Sequence, residues 1–311
     1  MNMAGLSLRD LEYVVAVADL RHFGKAAERC GVSQPSLSAQ IRKLEDGLGL
    51  ALFERTSRRV LTTPAGEPII RQARVVLAEA QRLLALAEGQ DGGLSGSFRL
   101  AAIQTLGPYL FPHLLPILRA HHPDLTLVLS EGRTDGLLDE LRDGRIDAVL
   151  LALPVEAEGI AAEPLFFEPF VLAHPVGHRL GQTPVLSLSD VDPAELLLLE
   201  EGHCLRDQAL AVCGVTARAG RHATGLETLR HMVAAGNGCT LMPLLATGDA
   251  ATVGGLGGYR AVAADRPGRG VGLAGRASDP RGRGLRDLAG LCRAALPASA
   301  GCSPVGAGQA A

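Results

Sequence analysis

Phe23 to Gly66 reads FGKAAERCGVSQPSLSAQIRKLEDGLGLALFERTSRRVLTTPAG, and the N-terminal architecture follows from this stretch. A short helix fits 23–30, and Gly31 breaks it in a manner suited to a turn with positive φ. Ser33 can cap the next helix, with Pro35 in its first turn, where a missing N–H costs little. Leu37, Ile41 and Leu44 recur at i, i+4 and i+7 and mark a buried face, leaving Gln34, Ser36, Ser38, Gln40, Arg42 and Lys43 outside. Upstream, Leu8, Leu11, Val14, Val15 and Ala18 predict a helix over 8–19. Downstream, Leu52 to Thr63 reads as a hairpin with Arg55, Arg58 and Arg59 near its tip. The whole is a helix-turn-helix with a wing. Its second helix suits a major groove, where amide and hydroxyl groups read base edges while Arg and Lys grip phosphates. A plain three-helix bundle with a solvated polar face has the same spacing, and the residues alone leave both readings open.

Charge is distributed accordingly. Arg21 to Thr63 holds eight basic and four acidic residues, a local net charge of +4, which leaves −7 on the remainder of a chain with net charge −3. A basic head on an acidic body fits a nucleic-acid-binding module joined to something else. The 311 residues, 47% hydrophobic and 20% charged, are enough for two domains with real cores and exclude a largely disordered chain. Six cysteines are too few for a disulfide-stapled secreted scaffold. The opening MNMAGLSLRDLEYVV has no signal-peptide pattern, and no uncharged apolar run approaches a membrane span. A cytoplasmic protein with reduced thiols and no membrane contact is therefore expected.

From Pro64 to about Glu88 one long helix is predicted. Ile69, Ala73, Val76, Ala80, Leu83 and Ala87 are spaced as a heptad seam, flanked by Ile70, Leu77 and Leu84. The seam can close a dimer or pack onto its own domain. Pro68 is unexpected there, since it removes a helical N–H just past the first turn. GQDGGLSGS (89–97) reads as a joint. Beyond it, strands SFRLAAI, LTLVLSEG and DAVLLAL alternate with helices over 107–121 and 134–143, the pattern of a parallel α/β domain. PFVLAHP, ELLLLE, helices near 204–213 and 225–236, and CTLMP continue as a second α/β lobe. After Thr247 the chain is Gly- and Ala-rich and poor in strand formers. The expected organisation is a winged helix-turn-helix over 1–63, a linker helix over 64–90, a two-lobed α/β effector domain over 96–296 and a disordered tail over 297–311.

Glu200 to Cys213 reads EEGHCLRDQALAVC. Cys204 falls near a predicted helix N-terminus, where the helix dipole and Arg206 both favour a thiolate. Nine residues of helix separate Cys204 from Cys213 by about 13.5 Å of rise. A disulfide needs Cα atoms about 4.4–6.8 Å apart. If the two bond, the segment 205–212 must unwind. The plain alternative is that both are small buried apolar residues. A metal site from His203, Cys204 and Cys213 lacks any CxxC or HxxxH pair, so no metal or other cofactor is expected.

Taken together, AAxxxxVSQPSLSxQIxxLExxLG and LFxRxxRxxxLTxAG resemble the winged helix of LysR-type transcriptional regulators. ExGHCLRDQAxxxC, with LETLRHMVAAGNGCTLMP and IQTLGPYLFPHLLP, resembles the hydrogen peroxide-sensing OxyR branch of that family. The resemblance implies an effector domain like the two-lobed periplasmic binding proteins and a dimer through the linker helix, assembling as a tetramer. It implies double-stranded DNA with inverted-repeat half-sites as partner, read through Ser33, Gln34, Pro35, Ser36, Ser38, Gln40, Arg42 and Lys43, with Arg58 on the wing. It implies that Cys204 is oxidised by hydrogen peroxide through a sulfenic acid and resolved by Cys213, and that a thiol reductant resets the disulfide. Thr105, Thr134, His203, Arg206, Asp207 and Arg276 are the implied peroxide-pocket residues, although Thr105 and Thr134 also suit ordinary helix capping. RNA polymerase is an implied partner, and the implied activity is regulation, not catalysis. A LysR-type regulator answering to a small metabolite in the inter-lobe cleft, with inert cysteines, and a thiol peroxidase carrying a DNA-binding head are the competing readings.

Overall fold

The structure is a computed structural model that describes residues 6–55, 60–87, 94, 96–214, 222–248, 257–263, 266–279, 281–296 and 301–303. It divides into two compact units, Met1–Asp91 with Asp143–Arg145, and Gly92–Arg142 with Ile146–Ala311.

The first unit runs α1 (Leu8–Leu20), α2 (Phe23–Arg29), α3 (Gln34–Leu48), β1 (Phe53–Arg55), β2 (Val60–Thr62) and α4 (Gly66–Ala87). Ser7 and Asp10 form a reciprocal capping box on α1. Gly31 adopts φ 66°, and the Ser33 hydroxyl accepts from the Ser36 N–H to start α3. Leu37 and Ile41 are fully buried with Val14, Val17 and Leu52, each contributing on the order of 1.5–3 kcal/mol. The antiparallel pair β1–β2 is tied to α3 by Glu45, whose Oε1 accepts from the Leu52 and Phe53 N–H groups at 2.7 and 3.1 Å. Gly66 opens α4 because a Cβ there would lie 2.5 Å from the Leu52 carbonyl oxygen. Since α4 begins at Gly66, Pro68 lies inside the first turn, among N–H groups that have no helical partner in any case. The expected conflict at Pro68 does not arise.

The heptad seam divides along the length of α4. Ile70 and Ala73 are buried, and Ile70 joins the core of its own unit. Val76, Leu83 and Leu84 are exposed, the last two at 67% and 63%.

The second unit runs β3 (Ser97–Ile103), α5 (Gly107–His121), β4 (Thr126–Gly132), α6 (Thr134–Arg142), β5 (Ala148–Leu153), β6 (Ile160–Pro175), β7 (Leu198–Leu199), α7 (Cys204–Cys213), β8 (His222–Ala223), α8 (Leu226–Ala234), β9 (Thr240–Pro243), β10 (Gly257–Ala261), β11 (Gly268–Arg276) and α9 (Gly282–Ala294). Strand β3 pairs parallel with β4 and β5, as βαβ crossovers require. Strand β11 enters antiparallel between β5 and β6. The far half of β6 leaves that sheet and pairs antiparallel with β9 and β10. One sixteen-residue strand thus serves two lobes, each with its own core: one around Phe98, Leu100, Leu114 and Val149, the other around Phe170, Leu172, Leu197 and Leu241.

Three stretches of the second unit gain definition beyond the sequence reading. The span after Thr247 supplies a central strand and a helix, β11 and α9. Glycine is abundant in β11 because neighbours fill the space a side chain would need: a Cβ at Gly272 would lie 2.9 Å from Leu153, and one at Gly268 2.3 Å from Phe167. ELLLLE contracts to the two-residue β7, and Leu196 bridges to Cys239. Within the expected tail, residues 301–303 are described, and Ser303 exchanges two backbone hydrogen bonds with Phe167 at 2.7 and 3.1 Å; the rest of 297–311 lies outside the described residues. Arg58 lies outside the described residues.

Leu83→Asp should weaken self-association and DNA affinity together, read by sedimentation and by titration of an operator duplex. Ile70→Ala should instead cost about 2–4 kcal/mol in a denaturant melt of the winged unit. Intact dimers of Leu83→Asp would assign the exposed seam no role in assembly.

Candidate redox site and nucleic-acid interface

On α3 the residues expected to face DNA are graded. Ser33, Gln34, Pro35, Ser36, Arg42 and Lys43 are exposed, while Ser38 and Gln40 are half-buried. Gln40 and Lys43 also act on Asp10. Burial would push that carboxyl up, but the Ser7 hydroxyl and N–H, Gln40 and Lys43 together hold it below the usual carboxylate range.

Cys204 is the first residue of α7 and Cys213 the last. Gly202 (φ 89°) turns the chain into the helix, and Gly214 (φ 62°) ends it in the left-handed conformation. Both thiols are free. The intervening helix is continuous, so about 13.5 Å of rise separates the two ends. Cys204 packs at the edge of the first lobe's core, and Cys213 at the edge of the second's. Burial pushes the Cys213 thiol above its ordinary value.

Cys204 borders a cavity of about 10 Å³, the room of one water-sized molecule, together with Thr105, Arg133, Thr134, Gly202 and His203. Helix capping explains neither threonine. Thr134 Oγ1 is buried with no hydrogen-bond partner. Thr105 Oγ1 accepts from Arg269 Nη1 at 2.8 Å, and the Thr105 carbonyl accepts from Arg269 Nη2 at 2.9 Å. His203 Nε2 is likewise buried without a hydrogen bond, and lies 3.9 Å from the Glu200 carboxylate. Burial and the nearby Arg133 cation outweigh Glu200 and the Thr224 backbone, pushing the imidazole below its ordinary value, so His203 is neutral at pH 7.

Three of the residues expected at this pocket lie elsewhere. Arg206 donates to the Leu199 carbonyl at 2.8 Å, anchoring α7 to β7. Asp207 is exposed on the first turn of α7. Arg276 donates to the Leu141 and Ile146 carbonyls and pairs with Asp279 at 3.1 Å, which ties the end of α6 to β11. The arginine that reaches Thr105 is Arg269, seven residues earlier on the same strand. Seven residues of strand span about 23 Å and reverse the face, so the two cannot serve one site. Arg269 faces Glu168 in the β11–β6 register and pairs with it at 2.8 Å, both side chains being 0% exposed. The other Glu168 oxygen accepts from the Leu245 N–H at 2.9 Å. The sequence does carry a signal for this pair: a charge inside the apolar run LFFEPFVL (165–172) requires a buried partner. Among the described residues no group of three or more His, Cys, Asp or Glu side chains is placed to hold a metal ion.

Residues 8–67 match the lysR family of bacterial regulatory helix-turn-helix proteins, and residues 91–297 match the LysR substrate binding domain. The chain is 48% identical over 244 residues to the DNA-binding transcriptional dual regulator OxyR of Escherichia coli K12, covering 78% of this chain and 80% of that protein. It belongs to the LysR family, in the OxyR branch. Among solved structures, a full-length cysteine-to-aspartate OxyR from Pseudomonas aeruginosa superposes with a TM-score of 0.82 at 41% identity, covering 93% of this chain and 95% of that one. A peroxide-bound cysteine-to-serine OxyR of Corynebacterium glutamicum matches with a TM-score of 0.64 at 35% identity, over 93% and 92% of the two chains.

In this OxyR-branch chain Arg269 connects the buried carboxylate to the pocket threonine. Glu168→Gln should cost about 3–5 kcal/mol in denaturant melts, because it leaves a guanidinium buried without its counter-charge. Replacing both residues, Glu168→Leu with Arg269→Met, should recover most of that loss. A Glu168→Gln protein as stable as the parent would show that the pair does not hold β6 to β11.

Proposed function

We propose that the chain is a hydrogen peroxide-sensing transcription regulator switched by a reversible Cys204–Cys213 disulfide. The observation that carries this reading is a single ten-residue helix with a free thiol at each end, the first thiol opening onto a cavity of one water-sized molecule. So small a space suits a peroxide better than a metabolite. Relatives named for induction by hydrogen peroxide, and a solved cysteine-to-serine relative described as bound to it, support the same reading.

The Cys204 thiolate attacks one peroxide oxygen, forming an S–O bond as the O–O bond breaks. The departing hydroxide takes a proton and leaves as water, and the sulfur becomes a sulfenic acid. Thr105, Thr134 and neutral His203 are the hydrogen-bonding groups around the substrate. Arg269 acts by holding Thr105, whose hydroxyl and carbonyl both accept from its guanidinium. Cys213 then attacks the sulfenic sulfur, an S–S bond forms and a second water leaves. For this step α7 must unwind, removing Leu205 and Ala209 from the second core. Burial keeps Cys213 protonated, and so unreactive, until that happens.

The winged units bind double-stranded DNA through the exposed face of α3, with Ser33, Gln34, Pro35, Ser36, Arg42 and Lys43 at the surface, Ser38 and Gln40 beneath them, and Arg58 on the wing. Paired heads select inverted-repeat half-sites, and the rearrangement of α7 resets their spacing. The protein is a cytoplasmic homotetramer and not an enzyme. It acts with RNA polymerase and is reset by a thiol reductant.

Cys204→Ser should abolish the peroxide response of a promoter while preserving DNA binding by the reduced form; an unchanged response would refute the reading. The oxidised protein should yield a Cys204–Cys213 cross-linked peptide by mass spectrometry and faster amide exchange across 205–212. Identical exchange in both states would exclude the unwinding.

A further inference from the structure

Resting on the peroxide-sensing reading, we propose that the Arg133–Glu200 ion pair is a selectivity gate over Cys204, admitting hydrogen peroxide and hindering organic hydroperoxides. Arg133 follows β4 and Glu200 follows β7, so the pair joins the two lobes across the Cys204 cavity. The cavity has a floor and a rim. Thr105 and His203 are nearly inaccessible, at 3% and 5% exposure. Arg133 and Gly202 are exposed and also line the cavity, so they lie where it meets solvent.

The guanidinium lies directly over Gly202. A Cβ built there would be 3.1 Å from Arg133 Nη1 and 3.3 Å from its Cδ. Gly202 is needed for its positive φ, and the guanidinium packs tightly against its bare backbone. Glu200 fixes the roof from the other side. The same carboxylate lies 3.9 Å from His203 Nε2, so the gate and the floor share an anchor.

The side chains of the pair are 47% and 29% exposed, and a half-exposed pair is weak. It opens and closes readily and so filters instead of sealing. Closed, it leaves room for one small molecule. A tertiary alkyl group on the peroxide needs the guanidinium displaced on every approach, whereas hydrogen peroxide does not. Differences of a few methylene groups at a pocket rim are the scale on which such filters discriminate.

The test compares second-order rate constants for Cys204 oxidation by hydrogen peroxide and by cumene hydroperoxide. It uses the full-length Cys213→Ser protein with a sulfenic-acid trap, in the parent and with Arg133→Ala, Arg133→Lys or Glu200→Gln added. The ratio of the two constants should fall about tenfold or more in Arg133→Ala and Glu200→Gln and return toward the parent in Arg133→Lys. A ratio unchanged in both Arg133→Ala and Glu200→Gln overturns the gate, as does an equal fall of both constants, since a group that only supports the fold slows the two oxidants alike. If the parent Cys204 reacts with hydrogen peroxide no faster than a free thiol, it is the sensing reading that fails.

Discussion

One short helix keeps two sulfurs apart. Its ten residues hold Cys204 and Cys213 at opposite ends, and each thiol is seated at the edge of a different hydrophobic core. No side-chain rotation can span about 13.5 Å, so any bond between them must draw on backbone rearrangement. This constraint gives the switch its logic. Leu205 and Ala209 hold the helix down, Arg206 ties it to β7 through the Leu199 carbonyl, and Gly202 and Gly214 mark its two ends. Oxidation at one sulfur becomes structural change only by overcoming those contacts.

A second constraint lies behind the first. A carboxylate and a guanidinium with no solvent exposure sit opposite each other on β6 and β11. Such a pair is costly to form and worse to break. The pair also positions its neighbours: Arg269 holds Thr105 at the cavity, and Glu168 holds the Leu245 backbone. Strand β6 passes from one sheet into the other immediately beyond Glu168. The pocket threonine is thus fixed by the same residues that fix the crossing between lobes.

The N-terminal unit is organised by more local rules. Its caps, its turn glycine and the Glu45 tether to the wing act over fewer than ten residues, and its core is closed by the first half of α4. The second half of that helix presents Leu83 and Leu84 to solvent. A chain that exposes a leucine row after burying its beginning is suited to pairing with another copy of itself.

The helix boundaries around the site were legible from the residues alone: 107–121 and 204–213 follow directly from periodicity and glycine punctuation. So were the three N-terminal helices, the two thiols and their enforced separation, because caps, spacing and helical rise are local properties. Arg206, Asp207 and Arg276 were legible only as polar residues near a motif, and their true engagements depend on which carbonyl or solvent each one meets. Arg133, Glu168 and Arg269 gave weaker signals still. They lie 35 to 136 residues apart in the chain, and the glycines of β11 hide a buried strand behind a composition that reads as loop. Local sequence determined the elements and placed sulfur at the ends of one of them. Which charged groups hold the residues lining the cavity at that sulfur was set by strand register and lobe packing, since a buried charge can be satisfied only by whatever the tertiary fold brings within reach.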